Sequence, residues 1–254
     1  MSPHALWEAY MRSYDYLASV ESYARSLEDV ARAAGAGAGR GILDAGSGTG
    51  NLSLILKARG ASVTACDFSA EAIRQHRAKD PEARVLLLSL EEPLPFPGAS
   101  YDAVCCASVL FALSRDGCGL ALREFHRVLR PGGRLVVTVA APAKRNRNLL
   151  WLHLRNLTRR RGLVRGVARA LRDLPELARI LYYNRRLQRL PDWQGYHRFT
   201  EEELRAFISQ AGFKGVELSR TYGGSFLLAV AVKGPEVPSR SPAEAERLET
   251  AIAV

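Results

Sequence analysis

Cysteine is scarce. The 254 residues hold four, Cys66, Cys105, Cys106 and Cys118, without the paired short spacings of a zinc site, and three of them sit inside or beside apolar runs. They read as reduced packing residues of a cytoplasmic protein, and no metal is expected. Long apolar runs are missing too. Nothing approaches the ~20 residues of a transmembrane helix. Met1 to Val20 carries Trp7, Tyr10, Tyr14 and Tyr16 but no apolar stretch behind a basic start, so no secretory signal is expected. Acidic residues are in deficit, 26 against 36 Lys and Arg, a net charge of +10. That deficit is local: residues 142–198 hold 15 basic residues against 3 acidic ones, net +12, while the rest carries 21 against 23. Whatever needs positive charge is concentrated in this segment. What is plentiful is apolar surface, 47% of residues, enough for a full core in one domain with an insertion.

Short apolar strands alternate with helices along most of the chain, the pattern of a parallel α/β sheet. After a helical start and the flexible stretch Gly35 to Gly39, strands are expected at Gly41–Asp44, Ser62–Cys66, Val85–Leu88, Tyr101–Ala107 and Arg134–Ala140. A helix around Leu120–Leu129 is closed by Arg130-Pro-Gly-Gly133. Ser69 reads as an N-cap, and Thr200 with Glu203 as a capping box. The last two runs, Val216–Thr221 and Phe226–Val232, suit an antiparallel pair. Residues 142–198 interrupt this rhythm with helical spacing, placing Leu163, Val167, Leu171 and Leu174 on one face and Arg165, Arg169 and Arg172 away from it. The expected organisation is a single domain over 1–233 with this basic helical insertion, and a flexible tail over 234–254.

The turn after the first strand reads Asp44-Ala-Gly46-Ser-Gly48-Thr-Gly50. Glycine there lets backbone approach a ligand closely. The dinucleotide fingerprint needs G-x-G-x-x-G, and a P-loop needs a terminal Gly-Lys-Ser/Thr; this turn has neither. A nucleotide-like ligand without phosphates is the better candidate. Asp67 follows Gly48 by 19 residues at the end of the second strand, where a carboxylate can accept both hydroxyls of a ribose. The plainer alternative is that Asp67 caps the following helix beside Ser69.

These residues, together with Leu94-Pro-Phe96 before Tyr101-Asp102, Arg127-Val-Leu-Arg-Pro-Gly-Gly133, Arg198-Phe-Thr200 and Ala211-Gly-Phe213, resemble the class I S-adenosylmethionine-dependent methyltransferases. The likeness is greatest to the methyltransferase type 11 group that includes the ubiquinone and menaquinone biosynthesis enzymes. It implies a Rossmann-like sheet of seven strands, mostly parallel with an antiparallel last pair, with S-adenosylmethionine over the strand ends. It further implies that Gly46, Gly48 and Gly50, with Asp44 and Ser47 of the same turn, face the methionine part. Asp67 would hold the ribose, Phe68 would cover adenine, and Ala107 would border the sulfonium. Ser89-Leu90 stands where many relatives place an Asp-Ala pair near the adenine amino group.

Methyl transfer is an in-line displacement on an already activated carbon, so positioning supplies most of the rate and a base is optional. Many relatives carry a histidine after the fourth strand; here Phe111 takes that place. Candidate bases are Tyr14 and Tyr16, on an N-terminal helix that folds over the site in similar enzymes, and His153 and His197 in or beside the insertion. The expected function is methyl transfer to a small or lipid-like acceptor of natural-product, quinone or lipid type. Two alternatives stand beside it: an RNA methyltransferase, and a non-catalytic cofactor-binding partner. The insertion itself has three readings. Its leucines pack on the core as a lid; it lies on an anionic membrane with Leu149–Leu152 and Leu154 down, at the inner membrane surface; or Arg159–Arg161 track an RNA backbone.

Overall fold

The computed structural model describes residues 3–142, 163–190 and 197–235. His153, Leu149–Leu154, Arg159–Arg161 and residues 236–254 of the expected tail lie outside them. Seven strands form one sheet: β1 (Gly41–Ala45), β2 (Ser62–Asp67), β3 (Arg84–Leu87), β4 (Tyr101–Ala107), β5 (Leu129–Ala140), β6 (Phe213–Thr221) and β7 (Phe226–Lys233). Their order is β3-β2-β1-β4-β5-β7-β6. The first five pair in parallel, and β7 runs antiparallel between β5 and β6. This is the strand number, order and pairing that the resemblance implies.

Alternate residues of the central strands face opposite sides, and both sides are dry. Leu43, Val104, Cys106 and Val137 join one core cluster; Ile42, Ala103, Cys105 and Val136 join the other. Burial on both faces is why these strands read as continuous apolar runs. The described helices are α1 (Pro3–Tyr14), α2 (Glu21–Ala33), α3 (Asn51–Ala58), α4 (Ala70–Lys79), α5 (Arg115–Val128), α6 (Leu163–Leu187) and α7 (Glu201–Gln210). The expected caps are formed: Ser69 Oγ accepts from Ala72 N at 3.0 Å, and Thr200 Oγ1 from Glu203 N at 3.1 Å.

Two expectations shift. The fifth strand begins at Leu129 rather than Arg134, because Tyr101 pairs with Leu129 and a register shift between Tyr101 and Ala103 absorbs the Pro-Gly-Gly run. On α6, Leu171 and Leu174 are 62% and 51% exposed, so the lid reading fails for them. The helix instead buries Ile180 and Leu187 and sets Tyr183 against Tyr10, with ring centroids 6.1 Å apart.

Strand order reverses between β2-β1 and β4-β5, so β1 and β4 flank the switch point, where connections leave in opposite directions and open a crevice beyond the strand ends. Helix α1 roofs that crevice. Glu8 accepts from Ala70 N at 3.0 Å and Glu71 N at 3.4 Å, capping α4 from outside. Gln75 Nε2 donates to the Met11 carbonyl at 3.1 Å. Asp15, just past α1, accepts from Lys79 Nζ at 2.8 Å and from the Thr49 hydroxyl.

Candidate functional site

The glycine turn is held open by backbone bonds from below. Gly46 N and Ser47 N both donate to the Cys66 carbonyl, at 2.8 and 2.9 Å. Gly46 has φ +76, and a Cβ there would lie 2.3 Å from Val109 Cγ2, so only glycine passes this corner. Asp67 Oδ2 accepts from Gly48 N at 2.8 Å and Oδ1 from Ser69 N at 2.9 Å. One carboxylate therefore both locks the turn and fixes Ser69, the residue that caps α4. Each of its oxygens retains a lone pair, so the capping reading and the ligand reading are compatible.

Above the turn lies a cavity of about 600 Å³, bounded by α1, the ends of β1, β2 and β4, and the segment after β3. Asp44, Gly46, Ser47 and Gly48 of the turn, Asp67 and Phe68 at and just after the end of β2, Ser89 and Leu90 after β3, and Ala107 at the end of β4 all line it. Gly50 stands outside, its missing side chain leaving room for the His76 ring. Two carboxylates share this space. Burial pushes the Asp44 carboxyl up to about 7; the Ser53 hydroxyl, donating at 2.6 Å, opposes that, and the Asp67 charge adds to it. Burial likewise raises Asp67, against the bonds from Ser69 and Gly48. A cation in this cavity would be stabilised by both acids. Ser47 Oγ and Trp7 Nε1 are buried without a hydrogen-bond partner. Both line the cavity, so they are groups prepared for a polar ligand.

A second cavity of about 230 Å³ adjoins the first. The two share Trp7, Tyr14, Tyr23 and Ser108 as a common wall. The Tyr14 hydroxyl donates to that of Tyr23, and burial, followed by the charge of Tyr23, holds Tyr14 well above the usual phenol range. Ser108 sits at φ +63, a left-handed conformation that a non-glycine residue rarely adopts. It is fixed there by N–H bonds to the Thr138 carbonyl at 2.9 Å and hydroxyl at 3.0 Å. The chamber is lined further by the aromatics Tyr10, Phe111, Tyr222 and Phe226, by the amides Asn184 and Gln188, and by the cationic Arg198.

Of the candidate bases among the described residues, Tyr14 alone borders either cavity, and His153 lies outside those residues. Tyr16 packs on the core. His197 lines neither: its Nε2 is 2.9 Å from Glu203 Oε2, its ring packs edge-on against Phe199, and its N–H donates to the Phe111 carbonyl at 2.7 Å. Sequence reasoning missed Trp7, Tyr23 and Ser108 as site residues. Trp7, Met11 and Tyr14 are spaced i, i+4, i+7, one face of a helix. That spacing was the available signal.

A methyltransferase-domain family profile matches residues 43–137. The demethylmenaquinone methyltransferase of Mycobacterium sp. (strain KMS) is 30% identical over 240 residues, covering 92% of this chain and 96% of that one. The chain belongs to the class I S-adenosylmethionine-dependent methyltransferases. The ubiquinone/menaquinone biosynthesis C-methyltransferase of Rubrivivax gelatinosus is 30% identical over 211 residues, 81% of this chain and 74% of that one. In fold, this methyltransferase is similar to the 1,6-didemethyltoxoflavin-N1-methyltransferase of Burkholderia thailandensis, with a TM-score of 0.55 at 20% identity, covering 92% and 91% of the two chains. S-adenosylmethionine is the cofactor of this methyltransferase class. The first cavity suits it, with two buried carboxyls for its cationic groups, an unpartnered Ser47 hydroxyl, and Phe68 with His4 edge-on at 5.0 Å as an aromatic corner.

Proposed function

We propose that this methyltransferase methylates a small, lipid-like acceptor of quinone type, bound in the second cavity while S-adenosylmethionine occupies the first. The observation that carries this reading is the shared wall: two cavities of different size and lining meet at Trp7, Tyr14, Tyr23 and Ser108. When bound, the cofactor supplies a methyl carbon activated by its positive sulfonium, open to in-line displacement. Asp67 takes the ribose hydroxyls on its free lone pairs, Asp44 and the Ser47 hydroxyl hold the polar methionine end, and Phe68 covers the adenine. Ala107, small and at the end of β4, leaves room beside the reacting centre.

Tyr14 does not act as a base, since its proton is held by burial and by Tyr23; its oxygen is left to accept a hydrogen bond from an acceptor hydroxyl. Among the described residues lining the second cavity there is no carboxylate and no histidine. The acceptor therefore brings its own reactivity, as an enol, phenol or hydroquinone does when its ring is electron-rich or ionised on entry. The aromatic walls suit a flat ring, and a chamber of 230 Å³ suits a ring head of one or two cycles rather than a nucleic-acid strand. The relatives' names, which specify quinone biosynthesis, support the same class.

The test is calorimetric titration with S-adenosylmethionine, wild type against Asp67→Ala, followed by a panel of hydroquinones and phenols with and without prenyl tails. Micromolar binding that Asp67→Ala abolishes, with turnover on tailed hydroquinones, is expected. A well-folded wild type that binds no cofactor would sink the assignment of the first cavity. Turnover confined to untailed or non-aromatic acceptors would sink the acceptor class.

A further inference from the structure

Among the described residues, six large hydrophobic side chains are exposed, and four of them, Leu171, Leu174, Leu181 and Tyr182, lie on α6. At 100° per residue these four fall within a stripe about 100° wide, the width of a face that seeks an apolar neighbour. Arg172, Arg179 and Arg186, at i, i+7 and i+14, run along one flank of that stripe. Arg185 and Arg189 extend the positive charge at its C-terminal end, and Arg186 lies over the Tyr182 ring at 5.9 Å. Acidic residues are sparse here: Asp173 is buried, and Glu176 is paired with Arg179 at 2.7 Å. The whole insertion carries a net +12.

The helix has a second side. Ile180 and Leu187 are buried, and Asn184 and Gln188 face the second cavity. One element thus connects the second cavity to an outward face that is apolar from Leu171 to Tyr182 and basic along one flank and at its C-terminal end. No described helix is long and apolar enough to cross a membrane, and an amphipathic face of this kind is buried when its helix lies in a lipid interface.

We propose that the outer face of α6 docks on an anionic lipid surface, leucines in the interface and arginines among the headgroups, so that a lipid-like acceptor reaches the second cavity past Asn184 and Gln188. This rests on the reading that the acceptor is lipid-like. Charge alone fits any polyanion, but the exposed leucines favour lipid over RNA, because an apolar stripe gains nothing from a phosphate backbone and gains buried area from an acyl boundary.

The full chain is sedimented with vesicles of phosphatidylcholine alone and of phosphatidylcholine mixed with phosphatidylglycerol. Two variants are compared with wild type: Leu171→Ser/Leu174→Ser/Leu181→Ser, and Arg172→Gln/Arg179→Gln/Arg186→Gln. All six positions are outside both cavities, so calorimetric affinity for S-adenosylhomocysteine serves as the control for folding. Wild type is expected to partition onto the mixed vesicles and not onto the neutral ones. Each arginine removed lowers partitioning roughly fivefold, and the serine variant lowers it by about tenfold or more. No partitioning by wild type overturns the proposal. So does a serine variant that binds as wild type does, which would mark a purely electrostatic surface of the kind RNA uses. Vesicle binding needs no methyl transfer, so a failed cofactor titration with intact vesicle binding faults the enzymatic reading, and the reverse result faults this one.

Discussion

Asp44 is the residue whose chemistry is set most by its surroundings. Because burial raises its pKa to about 7, the folded chain favours the protonated form. The resulting stability is fully present below the ordinary carboxyl value of 3.8 and is lost as pH rises through about 7. A cationic ligand reverses that preference by favouring the carboxylate. Cofactor affinity should therefore rise as pH increases toward and past 7, with proton release on binding below 7. Calorimetry in buffers of different ionisation enthalpy reads that release, and Asp44→Asn should abolish it while weakening binding. Gly50 contributes through what it omits. Its φ is +85, and an added Cβ would lie 2.2 Å from His76 Cδ2, inside the buried ring. Gly50→Ala should cost about 3 kcal/mol from strain and overpacking together, measured by urea unfolding, although Gly50 lines neither cavity.

At the scale of elements, α1 is both roof and wall. Glu8 ties it to the N-terminus of α4 and Asp15, just past its end, to the glycine-turn side, so its position over the larger cavity is set by charge and capping as much as by packing. Glu8→Ala removes an external cap of about 1 kcal/mol. The expected result is faster amide exchange over residues 3–14 and a several-fold weaker cofactor affinity, with little change in exchange over β1 and β4. Unaltered exchange in α1 would show that packing of Trp7 and Tyr10 alone holds the roof. The element most different from expectation is α6. Its leucine spacing identified a helix correctly, but helical spacing defines a stripe without saying whether the stripe faces the core or solvent.

For the whole molecule, the defining feature is a pair of adjoining cavities, which the proposed function assigns to cofactor and acceptor. Ala141, 4% exposed, lines the smaller one and not the larger. Ala141→Leu should raise acceptor KM by roughly tenfold, in line with about 1–3 kcal/mol for an ill-fitting group in a packed pocket, and leave cofactor affinity unchanged. Equal losses of both affinities would mean that the cavities act as one. The pair was only partly legible beforehand. The glycine turn, Asp67, Phe68 and Ala107 lie at or just past strand ends fixed by short-range sequence signals, and Gly46, Ser47 and Gly48 of the turn meet the other three at the larger cavity. The smaller one draws on α1, α2, α6, β5 and β7, segments far apart in the chain, so no local pattern announced it.

The sequence by itself determined the alternation of strand and helix, the glycine turn, the caps at Ser69 and Thr200, and the concentration of charge in one segment. Each depends on neighbours a few residues away, where backbone sterics, capping and periodicity act. Only the tertiary structure decided that Tyr14 meets Tyr23 at the wall between two chambers, that Ser108 is held in a left-handed conformation by Thr138, and that Leu171 and Leu174 face outward. These depend on which surfaces are left to pack once the sheet has closed, and packing across long sequence separations leaves no trace in local spacing.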